Sequence, residues 1–225
     1  MCGISGIVPT EPISQEILHK WLGAMNELQA HRGPDDKGIW VHQRGHVGFG
    51  HRRLTIIDLT TAAAQPMESE AGLVITYNGE IYNYIELRAE LGEGNFRTTS
   101  DTEVILQAYE KWGEDCVDHL RGMFAFAIWD EKNGKLFCAR DRFGIKPFYF
   151  TENSDGFFFA SEIKTLLPFV REVATDYNGL KDYFAFQFTL GEKTLFRDVQ
   201  ELLPAHTLTI KKGDIRLRKY WEVQY

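Results

Sequence analysis

Residues 123–140 read MFAFAIWDEKNGKLFCAR, and this stretch decides the fold class. Its two halves are rich in apolar and aromatic residues, and the Lys132-Asn133-Gly134 segment between them contains the dipeptide that most strongly favours a tight β-turn. The stretch therefore predicts an antiparallel hairpin with strands at residues 123–130 and 135–140. A second hairpin is predicted around Lys212-Gly213-Asp214.

The rest of the chain alternates between runs of strands and runs of helices. Further strands are predicted at residues 2–8, 38–41, 47–50, 73–77, 148–151 and 157–160, and helices at residues 14–28, 82–91, 101–112, 162–167 and 178–187. Ser14 is the expected N-cap of the first helix, and Ser100 or Asp101 that of the third. Because the elements come in runs and no linker interrupts them, we expect an α+β fold with mainly antiparallel sheets, in one domain over residues 1–225.

Composition excludes several classes of protein. Of the 225 residues, 44% are hydrophobic and 25% charged, the net charge is −7, and no basic cluster suggests nucleic-acid binding. Cys2, Cys116 and Cys138 have no CxxC spacing, so neither a disulfide framework nor a zinc site is predicted. The start of the chain does not resemble a signal peptide, and no apolar run reaches the ~20 residues of a membrane span. We expect a soluble, cytoplasmic protein.

The second residue is the first candidate for catalysis. Removal of Met1 would leave Cys2 with a thiol and a free α-amine, whose pKa of about 7.7–8.0 suits it to take the thiol proton. N-terminal nucleophile enzymes use one residue in this way as both the attacking atom and its base. The alternative is a buried structural cysteine, which is common.

Asn78-Gly79 is the candidate oxyanion hole. Hydrolysis of an amide needs donors for a tetrahedral oxyanion, and a side-chain amide plus a backbone N–H would supply them from a turn directed at Cys2. The alternative is an ordinary hairpin turn. The helical pattern of Ile81, Ile85 and Leu87 that follows favours the functional interpretation, because a simple hairpin does not require it.

A free amino acid as substrate would need charged partners. Arg52 and Arg53 are candidates for its α-carboxylate, since a guanidinium binds a carboxylate in a bidentate way. Glu80 and Asp101 are candidates for its α-ammonium group. Composition does not choose among these residues, and a surface or helix-capping role is the alternative for each of them.

Seven motifs in order resemble the class II glutamine amidotransferase domain of glutamine-hydrolysing asparagine synthetases. They span about the first 170 residues and comprise Cys2-Gly3-Ile4, His31-Arg32-Gly33-Pro34-Asp35, Arg53-Leu54-Thr55-Ile56-Ile57-Asp58, Tyr77-Asn78-Gly79-Glu80-Ile81-Tyr82-Asn83, Ser100-Asp101-Thr102-Glu103-Val104, Arg140-Asp141-Arg142-Phe143-Gly144-Ile145-Lys146-Pro147 and Ala160-Ser161-Glu162-Ile163-Lys164. The resemblance implies a four-layer α/β/β/α N-terminal nucleophile hydrolase sandwich that hydrolyses L-glutamine to glutamate and ammonia.

The resemblance also implies roles for individual residues. Cys2 would be the nucleophile, and Asn78 with the Gly79 N–H the oxyanion hole. The glutamine pocket would be formed by Arg53, Leu54, Ile56, Ile57, Glu80 and Asp101, with Arg53 on the α-carboxylate and the two acids on the α-ammonium group. His31 and His51 are expected to position loops, and residues 140–147 to form a fixed turn.

No metal or cofactor is expected for the glutaminase itself. The resemblance implies a C-terminal or separate synthetase domain that binds ATP and Mg²⁺, receives the ammonia and makes asparagine from aspartate; this chain has no glycine-rich phosphate loop. A homodimer is one assembly compatible with it. Three alternatives stay open: another ammonia acceptor such as a sugar, an N-terminal nucleophile amidase for a larger amide, and a non-catalytic module in which Met1 is retained.

Overall fold

The computed structural model describes residues 1–58 and 60–224. Its strands are β1 Gly3–Pro9, β2 Asp36–Val41, β3 Gly48–Arg53, β4 Met67–Glu68, β5 Leu73–Ile81, β6 Gly122–Asp130, β7 Lys135–Arg140, β8 Tyr149–Asn153, β9 Gly156–Ala160, β10 Gln200–Glu201, β11 His206–Lys211 and β12 Asp214–Lys219. Its α-helices are α1 Gln15–Leu28, α2 Tyr84–Leu91, α3 Asp101–Trp112, α4 Cys116–His119, α5 Ile163–Leu166 and α6 Tyr177–Phe186.

The strands form two antiparallel sheets. The first has the order β10-β8-β9-β1-β3-β2 and the second the order β12-β11-β7-β6-β5-β4. The predicted hairpin of residues 123–140 is β6–β7, at the centre of the second sheet, and the predicted C-terminal hairpin is β11–β12. The expectation of an α+β fold with antiparallel sheets is confirmed.

Alternation along the strands divides the core into three apolar layers. On β9, Phe157 and Phe159 pack between the two sheets, whereas Phe158 packs against α1. On β5, Val74 faces the first sheet and Ile75 faces α3. Because successive side chains of a strand point to opposite faces, each sheet is covered by helices on one side and by the other sheet on its other side. The order helix, sheet, sheet, helix is the four-layer arrangement that the resemblance predicts.

The N-terminal strand lies in the interior of the first sheet. β1 pairs with β9 on one side and with β3 on the other, with Gly3 opposite Arg52. One step further along this register, Cys2 comes beside Arg53 at the end of both strands. The N-terminus is therefore held by a paired strand on each side, which fixes the position of Cys2.

The predicted turn at Asn78-Gly79 is wrong. β5 runs without interruption from Leu73 to Ile81, so both residues lie within a strand, and α2 begins only at Tyr84 instead of residue 82. The reason is long-range pairing, because β6 provides a partner for every residue of β5 and this ladder overrides the local preference of Asn-Gly for a turn.

The other predicted elements are present to within a few residues, whereas the short elements β4, α4 and β10 were not predicted. The Ser14 hydroxyl accepts from the N–H of Ile17, and Ser100 rather than Asp101 is the N-cap of α3. α6 begins one residue earlier than predicted, because Asp176 caps it. In residues 1–58 and 60–224 no helix has the length and apolar character required to cross a membrane.

Candidate active site

One cleft collects all the predicted site residues. It encloses about 590 Å³ of space, part of which is open to solvent. Its lining includes Cys2, Arg53, Leu54, Ile56, Ile57, Asn78, Gly79, Glu80 and Asp101, which come from β1, β3, β5, the start of α3 and the loop after β3. Residues far apart in the sequence, such as Cys2 and Asp101, thus meet at one end of the two sheets.

Cys2 is held at the base of this cleft by its backbone and its sulfur. The Arg32 guanidinium donates from Nε to the Cys2 carbonyl oxygen at 2.9 Å. The Leu54 N–H donates to Sγ at 3.4 Å, and Sγ lies 3.6 Å from the Leu54 carbonyl oxygen. Burial raises the pKa of the Cys2 thiol, while the Leu54 N–H and the charges of Arg53 and Lys146 act in the opposite direction.

The two histidines at or beside matched motifs, His31 and His51, contact other elements of the fold and are not among the residues that line the cleft. His31 lies 2.7 Å from Glu162, which also pairs with Arg32 at 3.2 Å behind Cys2. His51 is completely buried between the sheets, and this burial lowers its pKa to about 4. It is therefore neutral near pH 7, and its Nε2 donates to the Tyr77 carbonyl oxygen at 3.1 Å.

Asn78 presents an amide without a partner. The residue is only 1% exposed, yet in residues 1–58 and 60–224 nothing accepts a hydrogen bond from its Nδ2. Buried polar groups are almost always paired, and an exception indicates a strained site, a water or a ligand. Because Asn78 lines the cleft with Cys2, the unpaired amide is available to a group bound there.

The Gly79 N–H points to the open side of β5. Opposite Gly79 in the ladder lies Phe124, whose N–H and carbonyl oxygen both bond to Asp141 on the far side of β6. Opposed residues of an antiparallel pair exchange both bonds or neither, so the Gly79 N–H is directed away from β6. The N–H groups of Tyr77 and Ile81 point to the same side and donate to side chains there. The Gly79 N–H lies between them, at the cleft.

Space also requires glycine at position 79. A Cβ atom there would lie 2.3 Å from the Met123 carbonyl oxygen and 2.8 Å from the Phe124 Cα. Both are backbone atoms of the neighbouring strand and cannot move aside alone. Close approach of β5 to β6 thus depends on this residue.

Asp101 and Glu80 place two acidic groups at one end of the cleft. Asp101 is 4% exposed, and its Oδ2 accepts from the Tyr77 hydroxyl at 2.7 Å and from the Ile81 N–H at 3.0 Å. Burial raises the pKa of the Asp101 carboxyl, and these two donors partly offset it. Glu80 is half-buried beside it. The alternative of Asp101 as the helix N-cap is wrong, because Ser100 has that position.

The structure separates the two candidate arginines. Arg52 donates from Nε to the Gly33 carbonyl oxygen at 3.1 Å and is not among the residues that line the cleft. Arg53 lines the cleft and donates to the carbonyl oxygens of Asp58 at 2.6 Å and Thr60 at 3.0 Å. Arg53 thereby holds the loop that carries Leu54, Ile56 and Ile57, a contact that sequence reasoning did not predict.

Lys146 is a cleft residue that sequence reasoning missed. It lies in the 140–147 motif, for which only a fixed turn was predicted. That turn is present: the Asp141 carboxylate accepts from the N–H groups of Phe143, Ile145 and Lys146. The available signal was the motif itself, since a turn fixed this firmly determines where its lysine lies. The other lining residues that were not predicted are Met1, Ala63, Gln65, Tyr77, Ser100, Thr102 and Met123.

Comparison with known proteins places this cleft in context. The sequence profile of the glutamine amidotransferase domain family matches residues 1–221. Two glutamine-hydrolysing asparagine synthetases of Bacillus subtilis strain 168, numbers 3 and 1, are each 42% identical over 100% of this chain, which covers 37% and 36% of them. The chain thus spans little more than a third of these relatives' length.

A solved structure shares the fold. The glutamine phosphoribosylpyrophosphate amidotransferase of B. subtilis, complexed with ADP and GMP, matches 98% of this chain and 49% of its own, with a TM-score of 0.69 and 20% identity. This likeness confirms the N-terminal nucleophile sandwich that the motifs imply.

Proposed function

Since the chain belongs to the glutamine amidotransferase domain family, we propose that it hydrolyses L-glutamine to glutamate and ammonia through a thioester on Cys2. Both of the asparagine synthetases described above carry glutamine hydrolysis in their names, and they match this chain over its full length. Within that class, the contacts in the cleft support a specific role for each residue.

The proposed reaction begins after removal of Met1. The α-amine of Cys2 takes the thiol proton, and the thiolate attacks the carboxamide carbon of glutamine. The resulting oxyanion accepts from the Asn78 Nδ2 and the Gly79 N–H, which lie at the cleft. Ammonia leaves with the proton that the α-ammonium group of Cys2 returns, and water then hydrolyses the glutamyl thioester.

The α-carbon end of the substrate, with its two charged groups, would be held by charge. We assign its α-ammonium group to Glu80 and Asp101, and its α-carboxylate to Arg53 with the loop residues Leu54, Ile56 and Ile57. Arg53 has five N–H donors, and two of its nitrogens already bond to carbonyl oxygens of the loop. Binding of a free amino acid, rather than a larger amide, is supported by acids and a cation in one cleft.

The single observation that carries the proposal is the unpaired Asn78 amide in the cleft that contains Cys2. The test is a glutaminase assay on chain whose N-terminus has been verified by intact mass. We expect glutamate release by the processed chain and none by Cys2→Ala, with the same thermal unfolding in both. N-acylated glutamine should not be hydrolysed. Turnover that survives Cys2→Ala would exclude the thioester.

We further propose that the ammonia passes to an ATP-dependent synthetase domain that makes asparagine from aspartate. The names of the two relatives support this product, and their length leaves room for a second domain. ATP and Mg²⁺ would bind in that domain, as the resemblance to asparagine synthetases implies. A cytoplasmic location and a homodimer remain predictions. Asparagine formation by this chain combined with such a domain, ATP, aspartate and glutamine would test the product.

A further inference from the structure

Lys146 is a cation that lines the cleft and has little exposed surface. The residue is 6% exposed, and in residues 1–58 and 60–224 no carboxylate oxygen lies within the 4.0 Å of an ion pair from its Nζ. Its recorded hydrogen bonds are those of its backbone. The side chain lines the cleft, and a cation with little access to bulk water favours an anion that is formed or bound beside it.

The backbone of Lys146 is fixed on both sides. Its N–H donates to the Asp141 carboxylate at 3.0 Å, and its carbonyl oxygen accepts from Arg140 Nε at 2.8 Å. Arg140 is itself anchored, because Nη1 donates to the Leu202 carbonyl oxygen at 2.6 Å and Nη2 to that of Gly144 at 2.8 Å. The turn thus fixes the backbone from which the Lys146 side chain lines the cleft that contains Cys2.

We propose that the Lys146 ammonium group is a positioning charge that stabilises the Cys2 thiolate when the thiol gives its proton to the α-amine. This inference rests on the proposed role of Cys2. Lys146 keeps its proton throughout, so one S–H bond breaks, one N–H bond forms on the amine, and the lysine changes nothing but the local potential. Two arginines also lie near Cys2: Arg53 donates to the carbonyl oxygens of Asp58 and Thr60 in the loop, and Arg32 donates to the Cys2 carbonyl oxygen and pairs with Glu162.

The electrostatic coupling of the two groups supports this role. Burial raises the pKa of the Cys2 thiol, and the Lys146 charge lowers it. Conversely, burial lowers the pKa of Lys146, and the Cys2 charge raises it. Each group thus favours the ionised form of the other, as expected for a thiolate with a cation nearby.

The test measures the thiol directly and needs no turnover. Processed chain, verified by intact mass, is alkylated with iodoacetamide in the absence of glutamine at pH values from 5.5 to 10. A neighbouring charge typically shifts a pKa by about one unit or more. Lys146→Gln should therefore slow alkylation of Cys2 at neutral pH about tenfold. The midpoint of the plot of alkylation rate against pH should move to a higher pH. Lys146→Arg should stay near the wild type.

Controls separate the charge effect from structural damage. Lys181→Gln removes the same charge from an exposed position on α6 and should leave the profile unchanged. Cys116 and Cys138 are completely buried, so labelling that remains in Cys2→Ala gives the background. Lys146→Met keeps the apolar stem and replaces Lys146→Gln if that variant does not fold, as judged by tryptophan fluorescence.

The outcomes distinguish this inference from the proposed function. An alkylation midpoint that is the same in Lys146→Gln, Lys146→Met and wild type overturns the role of Lys146, even if glutamine is hydrolysed. An upward shift that Lys146→Arg does not show supports it. Glutaminase activity that survives Cys2→Ala overturns the proposed function instead, whatever the alkylation profile.

Discussion

The His51 imidazole on β3 donates from Nε2 to the Tyr77 carbonyl oxygen on β5 at 3.1 Å, joining the two sheets beneath the cleft. Thr76 adds a second link, from Oγ1 to the Gly50 carbonyl oxygen at 3.2 Å. Since a carbonyl oxygen only accepts, the neutral ring carries its proton on Nε2. The next two residues of β5 are Asn78 and Gly79, so this contact fixes the strand that carries the candidate oxyanion hole.

His51 should make stability depend on pH. Its pKa of about 4 in the folded protein lies below the ordinary 6.5, so the unfolded chain binds more protons between these values. The contribution of neutral His51 to the free energy of unfolding is fully present above pH 6.5 and declines as pH falls toward 4. The shift corresponds to about 3 kcal/mol in all, of which about 2 kcal/mol should be lost between pH 7 and 5.

Urea unfolding of wild type and His51→Gln at these two pH values measures the effect. The variant should be less stable at pH 7 and should lose less stability on acidification than wild type. His19→Gln, at an exposed position of α1, is the control and should behave as wild type. Equal pH dependence in wild type and His51→Gln would contradict the prediction.

Asn78→Ala should affect turnover more than binding. If the side-chain amide stabilises an oxyanion, its removal should lower kcat about a hundredfold or more with little change in KM. Asn78→Asp, which keeps the size but places an acceptor where the donor was, should lose at least as much. Steady-state kinetics with glutamine check this, and a change confined to KM would reject the oxyanion role.

Gly79→Ala and Gly23→Ala should have opposite effects on stability. The new Cβ at position 79 would lie 2.3 Å from the Met123 carbonyl oxygen, so we expect a loss of about 1–3 kcal/mol together with glutaminase activity. At position 23, within α1, a Cβ meets nothing within 4 Å, and the helix should gain about 0.5–1 kcal/mol. Urea unfolding measures both, and equal effects would show that β5 can move away from β6.

Asp101→Asn should weaken glutamine binding while preserving the fold. The amide oxygen can still accept from Tyr77 and Ile81, but the negative charge for the α-ammonium group is gone. Loss of a charge-assisted hydrogen bond corresponds to about a tenfold or greater rise in KM. A change in kcat alone would argue against this role.

The pH dependence of binding provides an independent check on Asp101. Because burial raises the pKa of its carboxyl, wild-type affinity should fall, as pH decreases, at a higher pH than for an ordinary aspartate. The Asp101→Asn variant should show no such fall.

Retention of Met1 should abolish activity. With Met1 in place the nitrogen of Cys2 is an amide that cannot take a proton, and Met1 itself lines the cleft. A lysine inserted between Met1 and Cys2 would block methionine removal. This chain should release no glutamate from glutamine. Intact mass identifies the N-terminus. Turnover by the blocked chain would mean that another base serves Cys2.

Sequence reasoning predicted most of the elements where the signal is local, and it named residues that the structure brings into one cleft. The hairpin of β6 and β7, the caps at Ser14 and Ser100, and Cys116 and Cys138 as residues outside the site agree with the structure. The cleft also contains each residue that the motifs predicted. Motifs succeed here because residues of one site are constrained together, however far apart they lie in the chain.

The sequence by itself determined the residue types: a thiol at position 2, an amide at 78, a glycine at 79, and acids and an arginine for a small substrate. Only the tertiary structure decided that Asn78-Gly79 continues a strand, that Arg53 also holds the loop after β3, and that Lys146 lines the cleft. Each of these depends on pairing between distant strands, β5 with β6 and β1 with β3, or on a turn anchored by Asp141. Local sequence encodes a preference of the backbone, but the hydrogen bonds of a sheet are made with residues far along the chain, and these determine where a side chain lies.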